Sequence, residues 1–218
     1  INYWADHLDS LVDAGLRTNH GSDMVQTGAV KSYTDGTFGG RTAKLHEPYA
    51  DDADETGTWV LDPDEIHDLV GRADAHGFQV TLHAIGDAAI DAVLDVYEET
   101  TDPGVARHRV EHSELASDEA VDRMADLGVV ASMQPNFHKW GFETGLYDDR
   151  LGDRRTDANR LPAYLDAGAP LAFGSDCMPL DPLLGVQYAV NAPSEGQSLG
   201  ITEALRAYTA GAAYAGFD

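Results

Sequence analysis

This sequence predicts an α/β protein, a partial (β/α)8 barrel of the TIM type in which parallel strands alternate with helices. Three observations point there. Short apolar runs of strand length alternate with segments of helical periodicity. Each of four runs leads into a residue with useful chemistry: Lys31 after Gly28-Ala29-Val30, His83 after Phe78 to Leu82, His112 after Arg109-Val110-Glu111, and Asp176 after Leu171 to Ser175. The spacing follows the repeat of such a fold, with 29 residues from His83 to His112 for one unit and 64 from His112 to Asp176 for two units and an excursion.

Taken in order, Trp4, Leu8, Leu11 and Val12 hold helical spacing, and the first strand leads to Lys31. Asp62-Pro63-Asp64-Glu65 is a helix start: Asp62 caps the first-turn amides, Pro63 gives up no useful donor, and Glu65 completes a capping box. This helix should run to about His76 and stop at Gly77. A strand to His83 follows, then a turn at Gly86-Asp87 and a helix with Ile90, Val93, Leu94 and Tyr97 on one face. Next come a strand to His112, a helix capped by Ser117 and reaching Leu127, and a strand through Val129, Val130 and Met133. The Gly- and Asp-containing stretch from Asn136 to Asp157 reads as an excursion over the barrel mouth, before a helix ending at Gly168 and the strand toward Asp176.

At 218 residues the chain suffices for one well-buried domain, 1–218, whereas a complete barrel takes about 250. The opening residues show neither an initiator Met nor a signal-peptide pattern. About five βα units are visible, so the expectation is the middle to C-terminal part of a barrel whose N-terminal strands lie upstream.

Composition narrows the partners. With 27 Asp and 11 Glu against 11 Arg and 3 Lys, the formal charge is -24, and a nucleic acid or an anionic membrane would be repelled. A small-molecule substrate remains, with a homo-oligomer left open. The Asp-rich, Lys-poor balance resembles proteins of salt-in halophiles, whose carboxylate surfaces stay hydrated while salt screens their repulsion. The single Cys177 excludes an internal disulfide framework and fits a reducing cytoplasm.

At the C-terminal strand ends of a barrel, Lys31, His83, His112 and Asp176 would share one mouth as metal ligands, with Asp176 also handling the proton of a metal-activated water. Each has a plainer reading. Strand-end histidines are often structural, Asp176 could cap the segment from Pro179 to Val190, and Lys31 could extend to solvent instead of forming a metal-bridging carbamate. Alternation puts Glu111 on the face opposite His112, which suggests a structural role. Cys177 reads as packing, and His7, His20, His46, His67, His76, His108 and His138 as surface or loop histidines. No Gly-x-Ser-x-Gly elbow, phosphate loop or dinucleotide fingerprint is present.

Val-Lys-Ser-Tyr-Thr-Asp-Gly-Thr (30–37), Gly-Gly-Arg-Thr-Ala (39–43), His-Ala-Ile-Gly-Asp (83–87), Arg-Val-Glu-His (109–112), Ser-Met-Gln-Pro (132–135) and Gly-Ser-Asp (174–176) together resemble amidohydrolase family 3, metal-dependent hydrolases of TIM-barrel fold. The resemblance covers nearly the whole chain. It implies metal ligation by His83 and His112, a catalytic, metal-linked carboxylate at Asp176, a carboxylated Lys31, and substrate-side positions for Asp35 and Arg41. The implied cofactor is a divalent metal, zinc first. The family's early-strand His-x-His pair is absent. The implied reaction is hydrolysis of a non-peptide carbon-nitrogen bond in an amide, cyclic amide or N-substituted formamide; the alternatives are an ester or lactone hydrolase and a non-catalytic truncated scaffold.

Overall fold

The computed structural model describes residues 1–100 and 102–218. Eight strands occur in it: β1 (Tyr3–Trp4), β2 (Gly21–Ser22), β3 (Val25–Gln26), β4 (Val30–Tyr33), β5 (Val80–Ala84), β6 (Arg109–His112), β7 (Val130–Met133) and β8 (Leu171–Phe173). Six of them form one sheet in the order β1-β4-β5-β6-β7-β8, parallel throughout, while β2 and β3 make a small antiparallel hairpin. Spatial order thus repeats chain order, as strand-helix units wound in one direction produce.

The helices begin and end where their caps sit. In helix Pro63–Ala75, Asp62 accepts from Glu65 N at 3.0 Å and Glu65 returns the bond to Asp62 N at 2.9 Å, and Gly77 follows with a φ of 74°. Ser117 caps helix Asp118–Leu127 through Ala120 N, and that helix stops on left-handed Gly128. Helix Asp87–Glu98 starts at Gly86, where a Cβ would lie 1.9 Å from the Lys44 carbonyl, so only glycine lets the two backbones meet. The faces that these helices bury supply Ile66, Val70, Ile90, Leu94, Val121 and Met124 to one core with the outward strand residues Val80, Leu82, Val110 and Ala131. Fully burying such a side chain stabilises the fold by roughly 1.5–3 kcal/mol.

Two expectations change, and the mouth excursion gains helical detail. Trp4 lies in strand β1, paired with Lys31 and stacked on Tyr33 at 5.6 Å, because the helix starts only at Leu8; the edge strand precedes the periodic run. Residues 136–157 are mostly helical, with a 3-10 turn at Pro135–Trp140, helix Leu146–Leu151 and a 3-10 turn at Gly152–Thr156. Tyr147 and Leu151 of this segment join Phe38, Tyr49 and Ala158 in a second apolar cluster. Asp181, not Asp176, caps helix Pro182–Val190, accepting from Leu183 N and Leu184 N at 3.1 Å each. Among the described residues, no helix is long and apolar enough to cross a membrane.

Candidate active site

A cavity of about 630 Å³ opens at the strand ends, and Lys31, His83, His112 and Asp176 all line it. Thr81 and His83 share the inner face of β5 because side chains alternate, while Leu82 between them packs outward. His112 ends β6 with a φ of 74°. That left-handed step breaks the alternation, so Glu111 and His112 both line the cavity, correcting the opposite-face expectation for Glu111.

The two imidazoles meet with ring centroids 4.5 Å apart. His83 Nε2 donates to the Gly36 carbonyl at 2.7 Å, which leaves Nδ1 as its lone-pair nitrogen. Among the described residues, neither His83 Nδ1 nor His112 Nδ1 has a hydrogen-bond partner, though both atoms are buried. Burial first, then its neighbour His112, pulls the His83 pKa down to about 3. Burial and then the Lys31 charge do the same to His112, also to about 3. Two neutral rings with unengaged nitrogens fit metal ligation, with the Gly36 carbonyl orienting one of them. Among the described residues, however, no group of three or more His, Cys, Asp or Glu is placed to hold an ion, so the pair by itself offers only two nitrogen donors.

Lys31 lies lower than its sequence position suggests. It pairs with Thr81, two residues below His83, and its amine donates to Ser32 O at 3.1 Å. Burial draws its pKa down to about 8, opposed mainly by the Glu111 carboxylate. Glu111 also accepts from Thr81 Oγ1 at 2.5 Å and pairs with Arg109 at 3.1 Å, so the inner strand faces form a compensated polar floor. Asp176 stands three residues beyond β8, exposed at the rim rather than buried, with a φ of 46°. Its loop is held from below by Asn136, whose Nδ2 donates to Pro179 O at 3.2 Å.

Asp35 and Arg41 do not reach the cavity wall. Asp35 is 1% exposed and accepts from Lys44 N at 2.8 Å, Gly86 N at 2.9 Å and Ile85 N at 3.1 Å, with His83 Nε2 at 3.5 Å. It ties two loops together behind His83. Burial still pushes its pKa up to about 7, against those three donors. Arg41 points outward and makes a bidentate pair with Asp51 at 3.0 and 2.7 Å.

Sequence reasoning missed Glu114 and the aromatic wall. Glu114 lines the cavity, accepts from the Tyr147 hydroxyl and from Asn159 Nδ2 at 3.4 Å, and is pushed up to about 7 by burial. Phe137, Trp140 and Tyr147 also line the cavity. The available signal was four aromatic residues, Phe142 with these three, in a stretch otherwise rich in Gly and Asp. His108 and His138, read as surface residues, are buried at 0% and 1% exposure. His108 Nδ1 accepts from Val80 N at 3.1 Å in place of a backbone carbonyl.

Parallel strands that deliver polar side chains to one cavity beyond their C-terminal ends define a TIM-barrel-type α/β protein. This chain belongs to the amidohydrolase family, whose model matches residues 4–218. It is 37% identical over 202 residues to the putative amidohydrolase YtcJ of Bacillus subtilis, covering 87% of this chain and 38% of that protein. It is 28% identical to the N-substituted formamide deformylase of Arthrobacter pascens, with 96% and 42% covered. The crystal structure of an uncharacterized metal-dependent hydrolase from Pyrococcus furiosus superposes with a TM-score of 0.88 at 33% identity, covering 98% of this chain and 45% of that one. The chain therefore spans less than half the length of these relatives.

Proposed function

We propose that this chain carries the catalytic side of a metal-dependent amidohydrolase that cleaves a non-peptide carbon-nitrogen bond in an amide, cyclic amide or N-substituted formamide. The observation that carries this reading is the facing pair of neutral imidazoles with unengaged Nδ1 atoms in a cavity at the strand ends. The likeness to a deformylase of N-substituted formamides supports the choice of bond.

His83 and His112 would hold a divalent ion of the zinc type through Nδ1, and Lys31, once carboxylated, would join them. When bound, such an ion polarises a carbonyl group and makes water a stronger acid. The Gly36 carbonyl fixes the His83 ring through Nε2. At the rim, Asp176 takes the proton of the attacking water on a carboxylate oxygen and returns it to the leaving nitrogen, so that the amine departs neutral. The acidic surface is read as an adaptation to high salt, in a cytoplasmic setting.

A second reading, a barrel scaffold without activity, draws on one observation: among the described residues no third His, Cys, Asp or Glu completes the ligand set. Metal analysis of the full-length protein separates the two. Bound zinc that falls when His83 or His112 is replaced by Ala, together with turnover of simple amides, supports the enzyme. Equal metal content in wild type and both variants would return the histidines to a structural role.

A further inference from the structure

We propose that the outer half of the cavity is an aryl-binding subsite, so that the substrate carries a neutral aromatic substituent beside its scissile bond. The His112 ring stacks on Phe137 at 5.6 Å with only 9° between planes. Phe137 meets Trp140 at 4.9 Å, Trp140 meets Tyr147 at 6.2 Å, and Tyr147 packs edge-on against Phe38 at 5.2 Å. All five rings line the cavity. The wall thus continues without a break from an imidazole of the candidate centre.

The one hydroxyl of this wall is turned away. The Tyr147 hydroxyl donates to buried Glu114, which leaves ring carbons to meet a ligand. The cations among the lining residues, Lys31 and Arg109, lie on the strand floor, and both face Glu111. Lys139 stacks its amine on the Trp140 ring at 4.5 Å without joining the cavity-lining residues, and the chain's charge of -24 repels an anionic substituent. A flat neutral ring gains both from the loss of water and from offset or edge-on contact with the wall. The volume of about 630 Å³ falls among pockets that enclose small-molecule ligands.

The position of the scissile bond beside His112 rests on the function proposed above, whereas binding of the ring does not. The test is calorimetric binding of N-benzylacetamide and N-pentylacetamide to the full-length protein. The benzyl amide should bind at least about tenfold more tightly, since ring contacts add to area burial. Trp140→Leu should remove most of that difference, and Trp140→Phe should keep most of it. Equal affinities, or no binding of either amide, would overturn the subsite without requiring any variant to fold. Turnover of the same two amides by the zinc-loaded protein distinguishes the failures. Benzyl preference in binding without hydrolysis of any amide sinks the proposed reaction and leaves the subsite, whereas hydrolysis without preference in binding or kcat/KM does the reverse.

Discussion

Replacing Asp35 tests whether this residue, placed by resemblance near the substrate, is instead the clamp behind His83. Its Oδ2 accepts from Lys44 N and Gly86 N and its Oδ1 from Ile85 N, in a site with almost no solvent. Asp35→Ala orphans three buried donors, each worth roughly 1–3 kcal/mol, for a loss of about 3–9 kcal/mol. That rivals the whole stability of a typical domain, about 5–15 kcal/mol. Asp35→Asn can keep its carbonyl on Lys44 and Gly86 and turns an amide toward Ile85 N, so one donor is lost, at about 1–3 kcal/mol. Urea unfolding followed by circular dichroism measures both. The folded pKa of about 7 lies above the unfolded value, so the carboxyl stabilises the fold below the unfolded pKa and loses that contribution as pH rises through 7. The gap between wild type and Asp35→Asn should therefore narrow from pH 5 to pH 8. Unfolding midpoints that coincide for wild type, Asn and Ala would refute the clamp.

Asp176→Asn keeps shape and removes the proposed base, so turnover of an amide substrate should fall by about 10² to 10⁴ with metal retained; a loss below about threefold would remove Asp176 from proton transfer. Acid should unfold the protein through His108 and His138, both drawn down to about 4 by burial. Because their folded pKa lies below the ordinary value, the unfolded chain binds protons first, and stability should fall as pH drops from about 6.5 toward 4. Melting temperatures that stay level over that window would contradict this, and His108→Gln should shallow the slope. Seven arginines are already engaged in ion pairs with carboxylates, which leaves most of the 38 acids uncompensated. Molar potassium chloride, which shortens the Debye length to about 3 Å, should raise the melting temperature, and a flat salt response would end the halophilic reading.

Local signals were legible in the chain itself. The Asp62 capping box, the stops at Gly77 and Gly168, and the strands leading to His83 and His112 depend on neighbours within a few residues, so periodicity and cap chemistry determine them. The alternation of these elements carried the parallel α/β class, because parallel strands need crossovers and the sequence supplies a helix for each. What tertiary structure decided lies where backbone departs from repeat geometry or where distant segments meet. The left-handed step at His112 puts Glu111 and His112 into one cavity against strict alternation. Asp35 becomes a clamp only because loops 43–46 and 84–87 come to it, and a pattern of residue types does not encode that approach. Likewise, Phe137, Trp140 and Tyr147 form a wall with His112 because the 136–157 segment folds back over the strand ends, burying an apolar cluster whose members come from four separate stretches of chain. Burial of that kind is a property of the assembled surfaces, and so it set the pKa values, exposures and cavity lining that the sequence alone left open.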